Sequence, residues 1–576
     1  MTGSRLSRRG VGRLRLVFLP LGGALAGSLV SRRLSARARR ALAYEHSRSQ
    51  SPPRLVSPRQ RSQRDVVDED RRASPHLASV ERRMGGPDAL AGGALVLPLP
   101  APSPYSVWLF LGPLLALVGS VATGWLLTDD AGLRIAIAAS VGMLLLGVGL
   151  LTPRQLLLGL VAWLAALGLL RRLVTELGSP VGADPLLLVG PLAMAVLVVV
   201  AAGRGAFRQR TVLGDAVLAL SLLAVAGAFN PVQGSLLSGV AGLLFLLVPM
   251  LGFWIGRGLC DDRTLTHLLA VIAGIGVPVA LYGLAQTFRG FAPWDDEWVR
   301  SAGYQALQVY AKDGEMAVRP FSTFSAASEY AFFAAIALFV WLAFGLRRIW
   351  APFAVAAVAL LGAAVLYQSS RGIVFTSIGA LVLMAAAWAR IRLRLALVAA
   401  ALAFVLLPTA VAHFAPPNLE GRATSPLLAH QIEGLADPLD PEASTLPAHI
   451  SLLKVGLQSV ESHPFGRGTG TISIAGEKFG GTTEGTETDP SNAAVALGIP
   501  GVLAYLVVAV AGLLTAYRVA TVRRDPLGLL ALGVVGLTGL QWLNGGQYAV
   551  AFLPWLLLGW ADRTLARLSS DHVHLQ

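Results

Sequence analysis

The chain has 576 residues, of which 54% are hydrophobic and 14% charged, with a mean hydropathy of +0.62 and a formal net charge of +14. Soluble domains carry about a quarter charged residues, so these values exclude an ordinary soluble domain and point to a polytopic membrane protein. The excess arginines punctuate the ends of apolar runs, as topology signals do, which argues against nucleic acid as a partner.

The first apolar run, Leu16–Val30, is flanked by arginines and has no clean cleavage site. It is shorter than the roughly 20 residues of a comfortable span, so it reads as an interfacial or poorly inserted segment. From residue 32 the chain is rich in Arg, Ser and Pro, so residues 1–104 are expected to form a basic, largely disordered cytoplasmic extension. From Val107 onward, length and low charge predict an all-α transmembrane bundle of about 14 helices. Seven fall in the first block, 105–287: 107–127, 133–151, a short 155–170, 185–202, 211–229, 235–258 and 265–287. A first external loop, 288–327, carries the aromatic-acidic patch Trp294-Asp-Asp-Glu-Trp298. Four more helices, 328–346, 350–367, 372–389 and 395–413, lead to a large external loop, 414–491. Within it His449–Val460 has helical apolar spacing and is expected on the membrane surface. The closing helices 492–518, 526–543 and 546–561 precede a short cytoplasmic tail.

Arginine-rich connectors near Arg154, Arg204–Arg210, Arg257–Arg263, Arg347–Arg348, Arg390–Arg394, Arg518–Arg524 and Arg563 alternate with arginine-poor ones. The positive-inside rule therefore puts both termini in the cytoplasm and both long loops outside, with only Arg171-Arg172 dissenting. Cys260 is the single cysteine, which leaves no internal disulfide or cysteine-based metal cluster. His413, His430, His449 and His463 all lie near the second loop, but their spacing matches no compact zinc pattern, so no metal is expected.

Several candidate residues fall at the external boundary. Arg319 opens Arg-Pro-Phe-Ser-Thr-Phe and runs into a helix that Ser325 or Ser328 would cap. Its guanidinium fork matches phosphate oxygens, although a single interfacial arginine can equally snorkel to headgroups. Arg371 follows Tyr367-Gln-Ser-Ser370 on a turn too short to need a charge for solubility, which makes it a functional candidate. Glu329, in the first turn after Arg319, is expected to pair with that arginine. Asp489, just before Asn492, has the position of a helix cap, an ion-pair partner or a general base. His463 and Arg467 lie in a glycine-rich turn whose backbone amides suit phosphate.

Taken in order, Arg319-Pro-Phe-Ser-Thr-Phe, Ser370-Arg371-Gly372, Pro464-Phe-Gly-Arg-Gly-Thr-Gly470 and Asn492…Gly498-Ile-Pro-Gly501 resemble the O-antigen ligase/O-antigen polymerase superfamily over roughly residues 230–520. The resemblance implies a bacterial inner-membrane, metal-independent glycosyltransferase that needs no cofactor. Its donor would be a glycan on a polyprenyl pyrophosphate such as undecaprenyl pyrophosphate, its acceptor a glycan or lipid, and its surroundings membrane lipids. Arg319 and Arg371 would clamp the pyrophosphate with Arg467 beside them, Asp489 or His463 would serve catalysis, and Glu329, Ser370 and Asn492 would support the site. Where ligases have a histidine beside the asparagine, this chain has Ser491. The departures point to a polymerase, an exopolysaccharide-attaching relative or an inactive member over an orthodox lipid A-core ligase. The competing class is a transporter or flippase for a lipid-linked glycan or another anion. It would need ionisable residues near the bilayer midplane, where this chain has almost none.

Overall fold

The computed structural model describes residues 144–177, 186–302, 308–310, 316–344, 351–414, 426–441, 443–473, 476, 479–484, 486–543 and 547–573. The N-terminal extension, the Leu16–Val30 segment, the helix expected at 107–127 and the first part of that at 133–151 lie outside the described residues. The described residues form a helical bundle. Eight of their helices are long and apolar enough to cross a membrane, and three shorter ones are also apolar. This is a multi-pass, all-α membrane protein.

In chain order the helices of the first block are α1 (Pro153–Leu177), α2 (Leu186–Gly203), α3 (Val212–Gly227), α4 (Leu236–Leu259) and α5 (Asp262–Arg289). Most agree with the apolar runs to within a few residues. The exception is α1, which is longer than the short run at 155–170. It continues through Arg171 and Arg172 because both side chains are bonded to the loop beyond α5.

The first loop is structured. It contains α6 (Pro293–Ala302) and a two-stranded antiparallel hairpin, β1 (Gln308–Tyr310) with β2 (Met316–Val318), in which Val309 pairs with Ala317. Then come α7 (Ala327–Phe344), α8 (Ala351–Tyr367), α9 (Arg371–Trp388) and α10 (Leu393–Phe414). The second loop holds α11 (Pro426–Ala436) and α12 (Leu446–Ser462), followed by the 3-10 turn Thr469–Ile472. The closing helices are α13 (Asp489–Arg523), α14 (Pro526–Leu537) and α15 (Phe552–Val573). The helix expected over 526–543 stops at Leu537, and residues 538–543 form a turn that the site uses.

Small residues set the closest helix approach. In α4, Gly252 and Gly256 stand one helical turn apart, and Gly559 of α15 faces them. A methyl on Gly256 would strike the Leu556 carbonyl, and one on Gly559 would strike that of Phe253. Glycine here is a packing requirement of the kind that drives helix association in lipid.

The arginine-rich connectors meet at one end of the bundle. Arg154 pairs with Asp261 at 2.6 Å, Arg523 with Asp262 at 2.6 Å, and Arg257 with Asp562 at 3.3 Å. These contacts join the start of α5 to the start of α1 and to the end of α13, and the end of α4 to α15. The two structured loops gather at the other end. Arg171 and Arg172 belong to that loop end, which accounts for their dissent from the charge pattern.

Candidate functional site

The loop end is built on a polar clamp. The Arg172 guanidinium pairs with Asp295 of α6 at 2.9 Å and donates to the Phe324 carbonyl at 2.6 Å and to that of Ser322. Asp295 also accepts from Tyr282 (2.7 Å) and Gln286 (2.9 Å) of α5. The Gln286 carbonyl in turn accepts the amides of Phe321 (3.1 Å) and Ser322 (2.7 Å). Thr323 is held on α1, its hydroxyl donating to the Ala165 carbonyl at 2.5 Å and its carbonyl accepting from the Leu169 amide at 2.8 Å. Gly168 makes the approach possible, because a methyl there would run into the backbone of Phe324 and Ser325. The sequence Phe-Ser-Thr-Phe is therefore an anchor, with both phenylalanines buried. It fixes where Arg319 sits.

Glu329 does not pair with Arg319, contrary to expectation. One carboxylate oxygen accepts the Ser325 amide (3.2 Å) and caps α7, while the other accepts the Ala549 amide (2.8 Å). Ser325 spends its hydroxyl on Arg171, at 3.0 Å.

Arg319 leaves β2 half-buried, with its Nε buried and unpartnered. Burial holds its pKa below the ordinary guanidinium value, and the Glu487 carboxylate partly offsets that. Arg371, the first residue of α9, lies within the field of Arg319. Its guanidinium donates to the Ala443 carbonyl at 2.6 Å, contacts the His430 ring and lies flat against Gly434 of α11. Ser370 is the N-cap of α9 but makes no side-chain cap bond.

Beside these arginines several polar atoms are buried without partners: Gln368 Oε1, Ser369 Oγ and both side-chain polar atoms of Gln431. Gln368, Ser369 and Gln431 are each 0% exposed. Buried polar atoms are nearly always satisfied, so the unpartnered atoms of Gln368, Ser369 and Gln431, on the segments that meet at Arg371, make this the candidate place for a polar ligand. Gln431 does not stand out in the sequence, and His430 does so only as one of four dispersed histidines, because α11 is a short helix inside a polar loop.

The large loop is moored to a break in α13. At Gly498 the backbone takes φ +66°, and Pro500 has no amide to give to Ala496, four residues earlier. The freed carbonyls of Val495 and Ala496 accept the amides of Arg467 (2.7 Å) and Gly468 (3.0 Å), and the Ile499 amide donates to Pro464 (2.8 Å). Gly470 donates its amide to Gln233 at 3.1 Å. The amides of Arg467, Gly468 and Gly470 are thus used in docking. The Arg467 side chain is ion-paired with Glu484. His463 caps the end of α12, with Nδ1 2.9 Å from the Ser462 hydroxyl.

Asp489 is fully buried and turned away from the loop, against the expectation that it faces a substrate. Its carboxylate accepts from the Tyr505 hydroxyl (2.9 Å) and the amides of Trp542 (2.5 Å) and Leu543 (2.8 Å). Its own amide donates to Leu540 at 2.9 Å. It is a latch between α13 and the turn after α14. Just upstream, Thr486 donates to Asn492 Oδ1, and the Glu487 carboxylate lies against Nδ1 of His449 on α12. The His449 bond, with the charge of Arg319 adding to it, holds the Glu487 carboxyl below the usual carboxylate range.

The structure thus brings Arg319, Arg371 and Glu487 together with His430 and His449, and gives Asp489, Glu329 and Arg467 other partners. Among the described residues no group of three or more His, Cys, Asp or Glu side chains converges to hold a metal ion. Compared with known proteins, the chain matches no family model and no curated protein.

Proposed function

We propose that this protein is a membrane glycosyltransferase that transfers or polymerises a glycan carried on a polyprenyl pyrophosphate, at the external face of the bacterial cytoplasmic membrane. One observation carries the reading. Arg319 and Arg371, from separate segments of the chain, converge half-buried beside the unpartnered polar atoms of Gln368, Ser369 and Gln431. Two like charges taken partly out of water repel, and the carboxylates of Glu487 near Arg319 and Glu433 near Arg371 offset this only in part, so a further anion between them is favourable. A pyrophosphate supplies several acceptor oxygens, which guanidinium forks engage bidentately.

Such a pair stabilises departing pyrophosphate most as its negative charge grows, so it lowers the barrier to glycosyl transfer as well as binding the donor. The site lies at the ends of helices, where an extended lipid carrier can keep its chain in the bilayer and its headgroup in the cleft. This is the activity implied by the similarity to O-antigen ligases and polymerases. Cells lacking the protein should accumulate lipid-linked oligosaccharide and lose a mature surface polymer. Unchanged surface glycans and unchanged lipid-linked intermediates would rule the reading out.

A further inference from the structure

We propose that the connector between α9 and α10, packed against the end of α13, is a headgroup site for an anionic phospholipid of the leaflet that meets the arginine-rich end. The site lies at the opposite end of α9 from Arg371 and does not depend on glycosyl transfer.

The connector holds arginine where its backbone favours glycine. Past the end of α9 the Arg390 amide donates to the Ala387 carbonyl (3.1 Å) and the Ile391 amide to that of Ala386 (2.9 Å). This pattern puts the intervening residue in the left-handed region and usually recruits glycine. Arg390 takes that position at φ +59°, and Arg524, which ends α13, takes the same region at φ +53°. An L side chain is disfavoured there, so turn geometry does not account for either arginine. A topology signal does not account for Arg390 either, because Arg392 and Arg394 already supply positive charge from unstrained positions. The two helix ends are tied together. The Tyr517 hydroxyl donates to the Ile391 carbonyl at 2.6 Å, and the Arg524 guanidinium donates to the Trp388 carbonyl with its carbon 5.4 Å from the centre of the Trp388 ring.

The charge here is not neutralised within the chain. At the same end of the bundle Arg154, Arg257 and Arg523 each have an aspartate partner. Arg390, Arg392 and Arg394 are exposed, and no carboxylate among the described residues forms an ion pair with them. Asp525, the acid next to Arg524, is engaged by Arg523 at 2.5 Å and by the Gly528 amide at 2.8 Å. The Arg524 Nε is buried without a partner.

Apolar surface adjoins the charge and identifies the ligand. Trp388 and Ile391 are 53% and 42% exposed, and Leu395, Val398 and Leu402 continue as an exposed stripe on one face of α10. A free inorganic anion would use the arginines and leave this stripe idle. A phospholipid uses both. Its phosphodiester oxygens match guanidinium forks, its glycerol region lies level with an interfacial indole, and its acyl chain follows the stripe into the bilayer. The lipid is anionic because a choline headgroup brings a cation of its own against the arginines, whereas basic clusters beside a membrane attract anionic headgroups.

The test uses the purified full chain in neutral detergent. It is titrated with phosphatidylglycerol, with phosphatidylcholine of the same acyl chains and with inorganic phosphate, and bound lipid is counted by native mass spectrometry. Wild type should hold phosphatidylglycerol about tenfold or more tighter than phosphatidylcholine, and inorganic phosphate should not displace it. Arg392→Lys/Arg394→Lys keeps the charge that sets topology but loses the forks. It should weaken phosphatidylglycerol binding by about tenfold, the scale of one charge-assisted hydrogen bond. Arg392→Gln/Arg394→Gln should weaken it further. Arg208→Gln/Arg210→Gln removes the same charge from another exposed connector of the arginine-rich end. It should leave affinity within about twofold of wild type, because separate sites act independently. Equal retention of the two lipids by wild type, or wild-type affinity in both the lysine and the glutamine variants, would overturn the proposal. An equal loss in the Arg208→Gln/Arg210→Gln variant would overturn it too, by showing that diffuse charge holds the lipid. Displacement of phosphatidylglycerol by inorganic phosphate would replace the lipid site with one for a free anion.

Discussion

The Arg172 guanidinium and the Asp295 carboxylate form an ion pair at 2.9 Å with both side chains wholly excluded from solvent. This pair joins the last turns of α1 to α6 and, through Ser322 and Phe324, fixes the strand that carries Arg319. Removing one partner leaves a charge buried and unpaired, which costs about 3–5 kcal/mol. Arg172→Met and Asp295→Leu should therefore each lower thermal stability in detergent and reduce expression. The double variant should recover only part of that loss, because it removes the unpaired charge but leaves the Ser322 and Phe324 carbonyls and the Tyr282 and Gln286 donors without their partners. Wild-type melting of either single variant would remove the clamp from the account of the site.

The break in α13 makes a second prediction. Gly498 combines φ +66° with a backbone so close that a methyl would strike the Pro464 carbonyl. Its φ +66°, ψ −154° conformation, essentially open to glycine alone, costs an alanine about 1–3 kcal/mol, and the clash adds to it. Gly498→Ala should undock the 463–470 turn and expose it to protease while leaving the transmembrane helices inserted. A cleavage pattern identical to wild type would show that the turn holds to α13 by other contacts.

Asp489→Asn should act on folding before it acts on turnover. An asparagine puts an NH₂ where the carboxylate now accepts either the Tyr505 hydroxyl and Trp542 amide or the Leu543 amide. A buried donor facing a donor costs about 1–3 kcal/mol. Protein yield and melting temperature should fall together. A variant with normal stability and strongly reduced glycan transfer would restore Asp489 as a chemical participant.

Local signals made most of the helices legible in the sequence. The run expected at 235–258 appears as Leu236–Leu259, because apolar length and flanking charge are properties of a single segment. The site was legible only in part. Arg319 and Arg371 stand out as charges at apolar boundaries, and they do converge. The partners that give each acid its role were hidden, since Asp489 binds backbone amides 53 and 54 residues away and amides carry no sequence signature. Arg171-Arg172 contradicted the charge pattern because the explanation, Asp295 and the Ser322–Phe324 carbonyls, lies more than 100 residues along the chain. The contribution of α11 was missed because His430 and Gln431 gain meaning only when Arg371 lies beside them.

Sidedness rests on the separation of the arginine-rich end from the loop end. Cys260 is buried, so a membrane-impermeant thiol reagent should meet little background. Thr482, exposed in the large loop, and Gln209, exposed in an arginine-rich connector, are suitable sites for introduced cysteines. Thr482→Cys should label in intact cells and Gln209→Cys only after the membrane is opened. The reverse pattern would place the arginine cluster in the cytoplasm and end the case for external transfer.

The pyrophosphate clamp gives the last prediction. Lysine at position 371 keeps the charge of Arg371 but loses the planar fork and the second nitrogen that now faces His430 while the first binds Ala443. Arg371→Lys should weaken binding of undecaprenyl pyrophosphate by about tenfold, consistent with the loss of one charge-assisted hydrogen bond. Arg371→Ala should weaken it further. Arg319→Lys should behave like Arg371→Lys, because the proposed clamp has Arg319 approach the same anion from the first loop. The double lysine variant should lose less than the product of the two single effects if both forks grip one ligand, since neighbouring sites are not additive. Full additivity would mean that the two arginines hold different groups, and unchanged affinity in both single variants would reduce them to markers of the membrane boundary.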